Sequence, residues 1–190
     1  GCARAMQEVL ELTSRAGFDQ GVWMAQLGLA DAALLASDIP RAITICRQAM
    51  DTLHELNIEC AWAQAAAELG AAQLMARQAD EATQSLRKAQ PILQVGEGEG
   101  LILSHVAVLC ALRGRPADAA RLLGCSDAWH AANQSRPNST VAKLEQMASA
   151  ELDAVLGSAE FARLRAQGAA MVGDEPYRLA RAAIGVTLDP

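Results

Sequence analysis

The chain is expected to be an all-α array of stacked helix pairs, and three observations lead there. A helix-pair pattern recurs about every 40 residues. Hydrophobic residues make up 52% of the chain but aromatics only 3%. Much of the apolar share is alanine, 41 residues, the strongest helix former, while β-branched residues are scarce. The first copy reads Leu29-Ala30, Ala33, a turn at Ser37-Asp38, then Ala42, Cys46 and Ala49. The second reads Leu69-Gly70, Gln73, a turn at Arg77-Gln78, then Ala82, Leu86 and Ala89. The third reads Val106-Ala107, Cys110, a turn at Gly114-Arg115, then Ala119 and Leu123. Small residues stand where two helices cross closely, and larger apolar ones fill a neighbour's groove one turn later. A unit of this kind cannot bury its apolar face alone, so copies stack into a solenoid.

Each element follows from local signals. Residues 2–16 read as a helix closed by Gly17. A helix over about 20–36 follows, and Asp38 caps the next, which carries Pro40 in its first turn and runs to about 55. Asn57 breaks that helix. The next pair covers about 59–76 and 79–94, with Pro91 expected to kink or end its second member. Gly96, Gly98 and Gly100, interleaved with Glu97 and Glu99, read as a flexible acidic connector. It lacks the preceding strand and the unopposed amides of a phosphate loop. The third pair covers about 101–112 and Pro116 to about Asn133, and Arg136-Pro137-Asn138 breaks the chain. Ser139 is the expected cap of a long helix to Leu156, where Gly157 stops it. Ser158 caps a helix holding Phe161 and Leu164, and Asp174 caps a last one through Tyr177, Leu179 and Ala180. This divides the chain into repeats over 1–135 and capping helices of the same domain over 136–190.

Composition and charge exclude several function classes. The net charge is −6 with a pI near 5.1, and the arginines are scattered singly, which argues against direct nucleic-acid binding. No apolar run approaches the ~18 residues of a membrane span, and the N-terminus has no signal-peptide layout. Cys2, Cys46, Cys60, Cys110 and Cys125 are odd in number and lack CxxC spacing, so they read as free thiols in a reducing cytoplasm. The chain starts at Gly1. Shifting the first copy back by about 40 residues lands on Cys2, Met6 and Val9, which match a second helix without its first. A piece of a longer protein is expected.

The C-terminal third carries a resemblance. Ala120-Arg121-Leu122-Leu123-Gly124-Cys125-Ser126-Asp127-Ala128 resembles an "AARLLGAAEAL" segment, and Leu156-Gly157-Ser158-Ala159-Glu160-Phe161 is similar to "LGEEAF". Gln167-Gly168-Ala169-Ala170-Met171 with Asp174-Glu175 resembles an "EGRALSLDEA" ending. Together with the repeats, which resemble long tetratricopeptide-like repeats, this order is similar to the C-terminal region of large bacterial transcriptional regulators. Those proteins join a DNA-binding domain and a signal-transducing nucleotide-binding domain to helical repeats. The similarity spans about 20–183, with Asn57-Ile58 and Pro176 departing from the usual residues. Nothing in this chain matches the nucleotide-binding or DNA-binding parts.

No catalytic constellation is visible. His54, His105 and His130 lie in separate copies without metal-ligand spacing. There is no GxSxG, and Glu68, Asp80 and Glu81 read as solvated carboxylates on polar helix faces and a turn. No cofactor, metal site or enzyme activity is expected.

The resemblance implies that first helices line a concave surface. Helical phase places Leu27, Asp31 and Leu34 on it in the first copy, Gln64, Ala67, Ala71 and Leu74 in the second, and Leu101, Ser104 and Val108 in the third. Trp23 and Trp62 hold nearly equivalent places near the start of the first helices, and read either as packing between adjacent first helices or as an aromatic wall of this groove. This mostly apolar surface suits an amphipathic helix or another protein surface. The expected function is a non-catalytic, cytoplasmic interaction or sensor module. It would bind a protein partner or inducer, or the upstream domains of its own chain, in signal transduction. Two alternatives stand beside it. One is self-association as a homodimer through the N-terminal face or the groove. The other is a small-ligand pocket between repeats contacted by Trp23, Trp62 and Gln64.

Overall fold

The computed structural model describes residues 2–93 and 99–186. The described residues form ten helices and no strand. These are α1 (Cys2–Ala16), α2 (Asp19–Leu35), α3 (Ile39–Glu55), α4 (Glu59–Met75) and α5 (Ala79–Leu93), followed by α6 (Glu99–Leu112), α7 (Pro116–Ala132), α8 (Ser139–Leu156), α9 (Ser158–Ala169) and α10 (Glu175–Ile184). The all-α class expected from composition holds.

One device ends α1 to α4, α6 and α7, and recurs after α10, where Gly185 has positive φ and the Val186 amide donates to Arg181. Gly17, Ser37, Asn57, Arg77, Gly114 and Gln134 all have positive φ, and each follows a helix end. The amide after each donates to the carbonyl five residues back: Phe18 to Thr13, Asp38 to Ala33, Ile58 to Leu53, Gln78 to Gln73, Arg115 to Cys110 and Ser135 to His130. The positive-φ residue itself donates three residues back, as in Ser37 to Leu34 and Arg77 to Leu74. This paired bonding satisfies helix-end carbonyls that would otherwise be orphaned. It leaves only a few residues between consecutive helices, so each helix folds back on its predecessor. Four of the six residues carry a β-carbon that the left-handed region penalises. Gln134→Gly, at an exposed site, is therefore expected to stabilise the chain by about 0.5–1 kcal/mol in a thermal melt.

Consecutive helices from α1 through α7 pack on one another, the order expected of stacked pairs. Small residues set the closeness. Ala33, Ala42, Ala63, Ala66, Ala67, Ala71 and Ala72 are buried in one continuous core with Leu34, Leu74 and Leu86. Gly70 of α4 lies where an added Cβ would sit 3.0 Å from Leu86 Cδ2 on α5. Helix α4 is buried nearly all round because α2, α3, α5, α6 and α8 all contact it.

The last three helices depart from a simple end cap. Helix α9 packs chiefly on α7, and α10 covers α5, α6 and α7. Arg87 of α5 donates through Nε to the Ile184 carbonyl and fastens α10. Helix α8 leaves the row and lies chiefly against α6, touching α7 and α9 on one side and α4 and α2 on the other. At the opposite end α1 contacts only α2 strongly, and Val9 and Leu12 remain exposed.

Several boundaries differ from the sequence reading. Asn138, one residue before Ser139, caps α8, its side chain accepting from the Val141 amide at 2.8 Å. Gly157 rather than Ser158 occupies the α9 cap position. Asp174 precedes α10 but makes no capping bond, because Arg181 Nη2 donates to its Oδ2 at 2.6 Å. Helix α5 continues past Pro91 to Leu93, and α6 begins at Glu99. Gly100 therefore belongs to a helix, where its missing side chain makes room for the Trp129 ring. Residues 96–98 of the expected connector lie outside the described residues.

Candidate functional site

The sequence places a binding groove on the first helices of each pair, α2, α4 and α6. In the structure α8 occupies much of that groove. Its apolar face is Val141, Leu144, Ala148 and Leu152, spaced three or four residues apart and all buried. Polar contacts fix it along its length. Thr140 Oγ1 donates to Asp31 Oδ1 at 2.8 Å. Lys143 Nζ reaches the Leu34 carbonyl at 2.9 Å and Ser37 Oγ at 3.1 Å. Glu151 pairs with Arg77 at 2.7 Å.

Glu145 contributes the deepest anchor. Its Oε1 accepts from Ser104 Oγ at 2.5 Å and from Ser126 Oγ at 3.1 Å, and the two hydroxyls stand 2.8 Å apart. Both serines are fully buried, one on α6 and one on α7. Glu145→Ala removes the acceptor the two hydroxyls share but leaves Ser104 Oγ bonded to the Gly100 carbonyl at 3.1 Å and to Ser126 Oγ at 2.8 Å, so it is expected to cost about 1 kcal/mol in denaturant titration. Breaking the exposed Arg77–Glu151 pair is expected to cost less than about 1 kcal/mol.

The expected groove residues divide into two sets. Leu34, Ala67, Ala71, Leu74, Ser104 and Val108 are buried, and Asp31 is bonded to α8. Leu101 is half-buried against the core. The open, apolar groove read from the sequence is thus largely filled by the chain's own helix. Gln64 remains exposed. Trp23, Leu27 and Trp62 are half-buried together around Ala49, Leu53, Ala61 and Ala65, so packing unites the two tryptophans across α2, α3 and α4. Beside them, Leu53, His54, Asn57, Ile58, Glu59 and Trp62 line an open cavity of about 390 Å³. Trp129 stands apart, edge-on to His130 with centroids 5.1 Å apart.

Glu68 corrects the sequence reading, which placed it on a solvated face. It is 9% exposed, and its Oε2 has no hydrogen-bond partner. Alanine-rich α4 carries no clear polar face, so periodicity could not locate this carboxyl. Burial first, and the nearby Asp31 second, push its pKa up to about 8. Burial raises Asp31 too, opposed by the Thr140 hydrogen bond. The same two acids, after burial, raise the Cys46 thiol on α3. Asp80 and Glu81 are exposed, and Asp80 pairs with Arg113 at 2.8 Å.

His105 is fully buried with neither ring nitrogen partnered, and burial lowers its pKa to about 4. Cys46, Cys110 and Cys125 are buried free thiols, and Cys60 is exposed. Among the described residues no three His, Cys, Asp or Glu side chains gather as a metal site requires. No described helix is long and apolar enough to cross a membrane.

Comparison with known proteins adds no relative. No family model matches the chain, nor does any curated protein or solved structure. The chemistry of the site must be read from its own geometry. That geometry is a groove filled by α8, an aromatic cluster across α2 to α4, and the buried Glu68 with the half-buried Asp31 in its wall.

Proposed function

We propose that this chain is a non-catalytic interaction or sensor module in the C-terminal part of a bacterial transcriptional regulator. It would act in the cytoplasm and bind a protein partner or inducer to bias domains elsewhere in the same protein. The observation that carries this reading is the seating of α8. Stacked first helices present a groove whose shape and polar points already accept an amphipathic helix. The resemblance in the C-terminal third supplies the regulatory context, and the stacked pairs fit a tetratricopeptide-like superhelix over 1–135. Among the described residues, no acid–base pair or activated nucleophile accompanies the groove. Glu68 is buried in its wall, the half-buried Asp31 is bonded to Thr140, and His105 has no partner.

The test is a reporter assay on the regulator that carries this segment, with Trp62→Ser and Trp23→Ser introduced singly. The expected result is a changed transcriptional response with folding and DNA binding intact. An unchanged response from both variants contradicts the reading. The cavity beside Trp62 favours a second reading, a small-molecule inducer seated there. Thermal-shift titration would then show stabilisation that grows with ligand concentration and is lost in Trp62→Ser.

A further inference from the structure

The wall of the groove holds a mismatch. Glu68 is buried with the half-buried Asp31 nearby, and α8 offers these two acids a single hydroxyl donor, Thr140. Glu68 Oε2 receives no donor at all. A buried polar atom without a partner is costly, whether or not its carboxyl holds a proton. Elsewhere α8 fits well: Val141, Leu144, Ala148 and Leu152 are buried, and Glu145 satisfies two hydroxyls. The cleft between the C-terminal half of α8 and α4/α6 has only about 10 Å³ free. The groove is thus shaped for a helix, and it holds a carboxyl oxygen that α8 leaves without a donor.

The connections of α8 suit an occupant that can leave. On one side residues 135–138 form no helix. On the other stands Gly157, at φ 78 and ψ 149, a conformation essentially reserved for glycine. Beyond it α9 packs chiefly on α7, through the bidentate Arg165–Asp127 pair and the Cys125 thiol against the Gly168 carbonyl at 3.2 Å, and only more lightly on α8.

We propose that α8 is an intramolecular placeholder, displaced by a partner amphipathic helix that carries a lysine or arginine over Asp31 and Glu68. The inference rests on the groove reading above and names its partner's chemistry. The partner presents small aliphatic residues at the spacing of Val141, Leu144, Ala148 and Leu152. Its basic residue stands where Thr140 stands, with a side chain long enough to reach past Asp31 to Glu68. The cation supplies the donors that the acid pair lacks.

The test uses the full chain and two labelled 18-residue peptides that copy residues 139–156, one native and one with Thr140→Lys. Fluorescence anisotropy is expected to show the lysine peptide binding at least about ten-fold more tightly than the native one. That advantage disappears when the chain carries Glu68→Gln with Asp31→Asn. A chain with Thr140→Lys in its own α8 satisfies the acids internally and is expected to refuse both peptides. Hydrogen exchange on the unaltered chain provides a measurement free of folding artefacts. Amides of α8 are expected to exchange at least about ten-fold faster than those of α4 and α9. Equal affinity of the two peptides, no binding of either, or α8 amides as protected as those of α4 overturns the proposal. The reporter response of the Trp23 and Trp62 variants tests partner binding separately, so the placeholder role of α8 can fail while that reading stands.

Discussion

Gly168→Ala is expected to destabilise the chain by about 3 kcal/mol or more, a drop in Tm of roughly 6–12 °C for a domain of this size. A Cβ at Gly168 would collide with the Arg121 carbonyl oxygen on α7, and a Cβ at Gly124 would collide with the Arg165 carbonyl oxygen on α9. In both directions the obstacle is backbone, so no side-chain rotation relieves it. The two helices must separate. Separation loosens the seat of Leu164 and the Cys125–Gly168 contact. Gly124→Ala is expected to act similarly. The double variant should cost less than the sum, because the first substitution has already parted the helices. Circular dichroism melts check this, and a Tm within about 2 °C of the parent for either single variant would contradict the crossing. Gly70→Ala makes a useful contrast. Its Cβ would meet the end of the Leu86 side chain at 3.0 Å rather than backbone, so a smaller loss is expected.

Glu68→Gln is expected to stabilise the chain on the order of 3–5 kcal/mol above pH 8, and to leave it nearly unchanged below pH 4.5. The folded chain holds the Glu68 proton up to about pH 8, whereas an ordinary glutamate releases it near 4.5. Stability is therefore fully present below pH 4.5, falls as pH rises toward 8, and levels off above. His105 works in the opposite sense. Folded, it takes up a proton only near pH 4, while the unfolded chain does so near 6.5. Its contribution is present above pH 6.5 and is lost as pH falls toward 4. Between pH 4.5 and 6.5 the two slopes oppose each other, so the unaltered chain is expected to show a stability plateau there. Melts from about pH 4 to about pH 9 on both chains read this directly. Coinciding profiles above about pH 7 would show that Glu68 is not buried as an acid.

The helices were legible in the sequence because each ends on a short, recognisable break, such as Gly17, Ser37-Asp38, Asn57, Arg77-Gln78 or Gly114-Arg115. Each of those breaks holds a residue with positive φ in the structure, and Asp38 caps α3 through the Arg41 amide as expected. The stacking order from α1 to α7 followed from the same spacing. The seat of α8 did not. Its apolar face is periodic, but periodicity says only that a face is covered, not by which helices. The Glu145–Ser104–Ser126 network and the Asp31–Thr140 bond join residues between 19 and 109 positions apart, beyond the reach of any local pattern. Glu68 was misplaced because α4 is covered on nearly every side, and a helix without an exposed face gives no phase for a carboxyl. Trp23 and Trp62 were singled out as equivalent positions, and they do share one cluster.

One crosslink tests whether α8 lies across the first helices. Asp31→Cys and Thr140→Cys, in a chain with Cys2→Ser and Cys60→Ser, place two thiols on side chains now bonded at 2.8 Å across 109 residues. Treatment with a short thiol-reactive crosslinker at low protein concentration is expected to give one intrachain product, whose digest joins the peptides containing residues 31 and 140. Separate labelling of both thiols, or crosslinks only between chains, would contradict the seating of α8 in its own groove.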